Sequence, residues 1–261
     1  MDNRYERLER EAAGRVNGQH ERLINPIALD FLWEALGAGE PPYPIEIQSH
    51  GATMDSRRTL RQRVRQDLIA GQLLDHSGRV EPRLEGWLLA LSNADLTVDS
   101  VFLPGTGADP VLVLAAAGRG AAVLAVQRKD GLRLRPIPKD ALVSTIVGML
   151  PPAPRGTEAS ISLPADELAT VGGRGTQRAS DVETRKAYAK LTALPNKRGG
   201  QIAVNSRSEV RGRRRSPVLS WFDNQTGRYL TQARNDWVTI APADAATLRH
   251  RIGEMVRDVT S

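Results

Sequence analysis

The chain predicts an α+β fold, a single antiparallel β-sheet built by duplication and flanked by helices. Three observations carry this. First, a run of short strands ending in a proline-led amphipathic helix occurs twice. Strands VLVLAAA, AAVLAVQ and LRLRPI precede Pro138–Leu150, and strands QIAVNS, PVLSWFD, RYLTQA and WVTIA precede Pro242–Val256. Second, the connections Gly118-Arg119-Gly120 and Lys129-Asp130-Gly131 are short and contain glycine, which makes neighbouring strands antiparallel hairpins and disfavours a parallel α/β sheet. Third, Pro151-Pro152-Ala153-Pro154-Arg155-Gly156 separates the two copies, since such a run cannot continue the helix before it.

In chain order, residues 1–24 read as a polar N-terminal extension that frays, without the apolar core of a signal peptide. Asn25 caps a helix opened by Pro26 and ended by Gly37, with Leu29, Leu32, Trp33 and Leu36 on one face. An extended piece, Ile45–Gln48, follows PPYP and is broken by Gly51. Met54–Ala70 is a second helix with Leu60, Val64 and Leu68 on its apolar stripe; Arg57, Arg61 and Arg65 form another stripe, read as a solvated face. A third helix, Pro82–Ser92, buries Leu84, Leu88 and Leu91. Strands are expected at Thr97–Leu103, Val111–Ala117, Ala121–Gln127 and Leu132–Ile137.

Past the proline run, a strand over Glu158–Leu163 leads to a short helix from Pro164 and the loop VGGRGTQRA. Ser180-Asp181-Val182-Glu183 is a capping box opening a helix to about Leu194, whose apolar face is Ala187, Tyr188, Leu191 and Leu194. The second set of strands and the last helix complete the chain. The expected organisation is residues 25–150 as one half, 151–156 as the connection and 157–261 as the other half of one domain.

Composition removes several function classes. With no cysteine there are no disulfides, thiolate metal sites or cysteine nucleophiles, which fits a cytosolic protein. No stretch approaches the ~18 apolar residues of a membrane helix. The formal charge of +6 rests on arginine far in excess of lysine, a bias that a GC-rich genome also produces, so basicity argues only weakly for nucleic acid.

Candidate chemistry is thin. His20, His50, His76 and His250 show no metal-ligand spacing and are expected to be neither ligands nor bases. No serine sits in a Gly-x-Ser-x-Gly elbow, and carboxylate pairs such as Glu9 with Glu11 or Asp95 with Asp99 read as solvated. Gly105-Thr106-Gly107 and Gly172-Gly173-Arg174-Gly175-Thr176 do not open helices as a phosphate cradle requires, so they are turns. The run from Arg207 to Arg215 reads as a mobile hairpin loop kept soluble by arginine, or as an anion contact; it has no interleaved aromatic to stack a base.

Two stretches carry more information. Leu29-Asp30-Phe31-Leu32-Trp33-Glu34-Ala35-Leu36-Gly37-Ala38-Gly39-Glu40-Pro41-Pro42-Tyr43-Pro44-Ile45, continued through His50-Gly51-Ala52-Thr53, resembles the opening of the EspG family of actinobacterial type VII (ESX) secretion chaperones. Gly227-Arg228-Tyr229-Leu230 through Trp237-Val238-Thr239-Ile240-Ala241-Pro242-Ala243-Asp244 resembles that family's terminal strand pair and helix. The resemblance implies a quasi-two-fold duplicated fold with a central antiparallel sheet flanked by helical bundles. It also implies a cytosolic, ATP-independent chaperone that is not an enzyme and uses no cofactor or metal. The partner implied is a helical secreted substrate, PE/PPE-like or WXG-type, whose apolar tip is kept soluble for export, without membrane insertion or specific nucleic-acid binding.

The family supplies no contact motif to transfer by position. The candidate partner contacts are Leu219 and Trp221, alternating on one face of a strand, with Tyr188 and Leu191 as the wall of a groove; core packing is the competing role for each. A basic nucleic-acid-associated module is the alternative function, and an enzyme with a site assembled from scattered residues is a third.

Overall fold

Asn25 accepts a hydrogen bond from the Ala28 N–H at 2.8 Å, and with Pro26 it starts helix α1 (Pro26–Leu36), which Gly37 ends in the left-handed conformation. The same logic of caps and apolar stripes sets α2 (Met54–Ala70), capped by Thr53, and α3 (Pro82–Ser92), capped by Glu81. The computed structural model describes residues 21–118, 120–165 and 179–261.

The strands are β1 (Arg22–Ile24), β2 (Leu96–Leu103), β3 (Val111–Ala117), β4 (Ala122–Arg128), β5 (Gly131–Pro136), β6 (Ile161–Pro164), β7 (Arg198–Ser208), β8 (Gly212–Arg215), β9 (Leu219–Asn224), β10 (Gly227–Arg234) and β11 (Trp237–Pro242). They form one sheet in the order β1-β5-β4-β3-β2-β7-β9-β10-β11-β6, with β8 paired to β7. The order is symmetric about the antiparallel β2–β7 pair. On each side a meander runs outward, and its last strand pairs with the short strand that preceded the meander in sequence, β1 on β5 and β6 on β11. Each meander then returns through a helix, α4 (Leu142–Met149) or α6 (Ala245–Thr260).

Alternation along the strands sends their side chains to two faces. On one face, Val98, Phe102, Val113, Leu124, Val204, Leu219, Trp221 and Leu230 form a core with Leu142, Ile146, Leu248, Ile252 and Met255 of α4 and α6. On the other face of the first meander, Leu114, Ala116, Val123, Ala125, Leu132 and Leu134 pack under α1 and α3, with α2 outside them. On that face of the second meander, Ile161, Leu163, Tyr229 and Ile240 meet Leu191 of α5 (Ala179–Thr192). Burial on both faces explains why β3 and β4 read as continuous apolar runs.

Several expectations are corrected. Residues 22–24 belong to the sheet: Ile24 pairs with Leu132 and is fully buried, because β5 would otherwise be left with an open edge. Pro138 and Pro242 do not open helices. The chain turns through Pro138 to Ala141 before α4, and Pro242 ends β11 before Asp244 caps α6 by accepting from the Thr247 N–H. Ile45–Gln48 joins no ladder, and the Gln127 side chain instead bonds the Glu46 N–H at 2.8 Å and carbonyl at 2.6 Å. The strand expected from Glu158 begins at Ile161. The Gly172–Thr176 cluster, the helix expected beyond Ala165, the side chains of Ser180 and Asp181, Arg119, His20 and the Glu9/Glu11 pair lie outside the described residues.

The proline-rich connection is docked against the second meander. Arg228 is buried, gives two hydrogen bonds of 2.7 and 2.8 Å to Asp223, and gives a third of 2.6 Å to the Pro151 carbonyl. Arg198 joins Asp223 to the Pro152 carbonyl, each at 2.7 Å. Gly156 lies against the Tyr229 ring, where a Cβ would come within 2.4 Å of Cζ, so this position admits no side chain.

Candidate partner-binding site

The middle of the sheet, on the face away from α4 and α6, lies between the α1–α3 layer and α5. Its composition follows from register. Leu112, Val101, Gln201 and Ser220 stand side by side across β3, β2, β7 and β9. In the next row Leu103 and Phe222 flank Gly199, whose missing side chain leaves a dip between them. Val218, just before β9, lies on the same face.

On this strip apolar side chains stay accessible: Leu103 is 49% and Val218 39% exposed, and Tyr43, above its margin, is 58% exposed. Val101, Leu112 and Phe222 are half-buried, the last stacked on Tyr229 with centroids 5.4 Å apart.

Along β7 the strip changes character from apolar to charged. Asp99 is buried and accepts from Asn205 Nδ2 at 2.8 Å and Arg215 Nη1 at 3.0 Å. Burial pushes its carboxyl above the ordinary range, and the Asn205 and Arg215 bonds offset only part of that rise. The Arg215 guanidinium in turn lies 5.4 Å from the Tyr43 ring centroid, joining β8 to the segment after α1. One row further, Arg207 stands opposite Arg213. Arg207 also borders a groove of about 1110 Å³ that opens between α3 and the β7–β8 hairpin, lined by small residues such as Gly86, Ala90 and Gly120, with Leu89, Asp95 and Glu209. The arrangement suits burial of an elongated partner. Among the described residues no group of His, Cys, Asp and Glu could hold a metal ion.

The residues expected to contact a partner are not brought together. Leu219 and Trp221 are 0% and 2% exposed and belong to the core under α4 and α6. Leu191, 1% exposed, and Tyr188, half-buried, belong to the cluster on the opposite face. In this structure Leu219, Trp221 and Leu191 are interior supports, and only Tyr188 retains accessible surface. Alternation correctly puts Leu219 and Trp221 on one face of their strand, but which face α6 covers depends on long-range packing.

The arginines are also corrected. The 207–215 segment is a hairpin docked at two points: Arg215 on Asp99, and Arg211 on the Thr260 carbonyl at 2.6 Å and the Ser261 carbonyl. Arg57 is no solvated residue. Its guanidinium bonds both oxygens of Asp30 at 3.0 Å, reaches Glu34, and lies 4.7 Å from the Phe31 ring centroid. Arg61 and Arg65 stay exposed, as a solvated face requires, Arg61 paired with Glu34 and Arg65 donating to the His76 carbonyl. His50 meets Asp30 as well, through its backbone N–H at 2.7 Å. Asp99, expected to be solvated with Asp95, is buried at the centre of the sheet.

Among the described residues no helix is long and apolar enough to cross a membrane. No curated protein matches the chain. A solved structure, the Mycobacterium tuberculosis type VII secretion system chaperone EspG5 in complex with PE25–PPE41 dimer, is similar with a TM-score of 0.64 and 15% identity over 90% of this chain and 95% of that one. At that identity the likeness is one of fold. The model of the EspG family matches residues 25–254, nearly the whole span of sheet and helices described above, and the chain therefore belongs to the EspG family.

Proposed function

We propose that this chain is a cytosolic chaperone that holds the apolar tip of a helical type VII substrate, PE/PPE-like, on the strip between its helix layers. The observation that carries the proposal is the accessible apolar surface of Leu103, Val218, Val101, Leu112 and Phe222, in a fold whose solved relative EspG5 is in complex with the PE25–PPE41 dimer. A helical bundle with an apolar tip aggregates unless that tip is covered, and a sheet face with apolar floor and polar margins covers it without chemistry. Fully burying one such side chain contributes about 1.5–3 kcal/mol, so a handful can support a stable complex without ATP.

The strip takes β2 from residues 25–150 and β7 and β9 from residues 157–261, so the two halves, joined by 151–156, act as one binding unit. Tyr188 stands at its border, while Leu191, Leu219 and Trp221 hold the strands in place from within. The test is co-expression with PE/PPE-like helical proteins of the source organism. A stoichiometric complex that survives moderate salt and is lost in Leu103→Asp, with the melt of that variant unchanged, is expected. Failure to co-purify while both partners are folded overturns the reading.

A further inference from the structure

Arg207 and Arg213 face each other across the hairpin, on the same side of the sheet as the apolar strip, and both are exposed. Directly opposed like charges destabilise a strand pair. Among the described residues neither side chain has a carboxylate partner, although Arg215 and Arg211 of the same hairpin are both engaged. The pair lies in line with the strip. From Gln201 to Arg207 along β7 is about 20 Å at ~3.3 Å per residue, the length of roughly 13 residues of helix lying alongside.

We propose that Arg207 and Arg213 receive a carboxylate of the bound substrate's helix, three to four turns from its apolar tip, so that the site selects substrates by charge position as well as by apolar shape. The inference rests on the chaperone reading. A discrete carboxylate fits this pair better than a nucleic-acid backbone does. The groove beyond it, which Arg207 itself borders, also holds the Asp95 carboxylate, which would repel phosphates continuing along that path. The neighbouring ring, Tyr43, is already stacked on Arg215 rather than free to stack a base.

The hairpin supplies its own control, since Arg214 stands opposite Ser206 on the other face of the sheet. The probe is a PE–PPE-type pair from the source organism, titrated by calorimetry at low and physiological salt against wild type, Arg207→Glu, Arg213→Glu and Arg214→Glu, each checked by thermal melt. Reversal at Arg207 or Arg213 is expected to weaken binding about ten-fold or more and to flatten its salt dependence, while Arg214→Glu changes it less than about two-fold. Glu→Lys on the substrate at the facing position should restore binding to Arg213→Glu. Equal effects at Arg213 and Arg214, or none at either, overturn the inference and leave the chaperone reading intact. If wild type binds no such pair, the chaperone reading itself fails. Tight binding of a 20-base-pair DNA duplex at physiological salt, lost in Arg213→Glu, overturns the inference in favour of phosphate.

Discussion

Arg228 and Arg213 carry the same guanidinium on strands of one sheet in opposite surroundings. Arg228 is 3% exposed, bidentate on Asp223, and ties the proline-rich connection to the second meander. Arg213 is exposed, faces another arginine, and meets no carboxylate among the described residues. Arginine density along the chain ranks them the wrong way round: the run from Arg207 to Arg215 draws notice, whereas the isolated Arg228 carries the stability. Guanidinium groups whose partners lie within the fold hold it together, and those left without partners are available to another molecule.

Breaking that contrast should start with Arg228→Ala. It leaves Asp223 buried with, among the described residues, only the partly exposed Arg198 as a charged partner, and a loss of about 3–5 kcal/mol is expected in chemical denaturation. Trp221→Ala, beneath the same guanidinium, should cost a comparable 3–5 kcal/mol or so by leaving a cavity, and any loss of binding should track the loss of folding.

Two carboxylates sharpen the comparison through pH. Burial alone would raise Asp30, but the hydrogen bonds from Arg57 and His50 outweigh it and hold the carboxyl below its ordinary value. Its contribution is therefore complete above the unfolded value of 3.8 and is lost as pH falls through the folded value. Asp99 has the opposite sign: its folded pKa is raised, so its ionisation costs stability as pH rises from 3.8 through the folded value. Asp30→Asn should lower stability at pH 7 by about 1–3 kcal/mol and remove part of the acid sensitivity, whereas Asp99→Asn should not destabilise the protein at pH 7. Denaturation curves at pH 7 and pH 4 check both. At the small end, Arg213→Ser with Arg214→Ser should stay within about 0.5 kcal/mol of wild type, because neither side chain is engaged among the described residues.

Much of the architecture is legible in local pattern. Asn25, Pro26 and Gly37 fix α1 because capping is a matter of adjacent atoms, and the glycine-bearing turns at 118–120 and 129–131 make β3, β4 and β5 antiparallel. What local pattern misses is decided by distant partners. Strand β1 exists because β5 offers it an edge, and Pro138 and Pro242 resemble helix starts until turns and a strand end claim them.

The apolar strip is the least legible part. Trp221 and Leu219 stand out as aromatic and aliphatic residues in a strand, yet α4 and α6 bury them. Leu103, Val218 and Phe222, on the face away from α4 and α6, stay accessible because among the described residues the α1–α3 layer packs on the first meander and α5 near the far edge of the second. The usable signal in the sequence is the alternation itself; that Gly199 stands between Leu103 and Phe222 depends on the register of three strands.

The central claim, that the strip between the helix layers is where a helical substrate sits, is tested most directly by site-specific photo-crosslinking in the co-expressed complex. A benzophenone side chain is placed in turn at Leu103, at Val218 and at Trp237, the last 52% exposed but on the opposite face of the sheet. The account predicts substrate crosslinks from Leu103 and Val218 and none from Trp237. Crosslinks from Trp237 with none from the strip would contradict it.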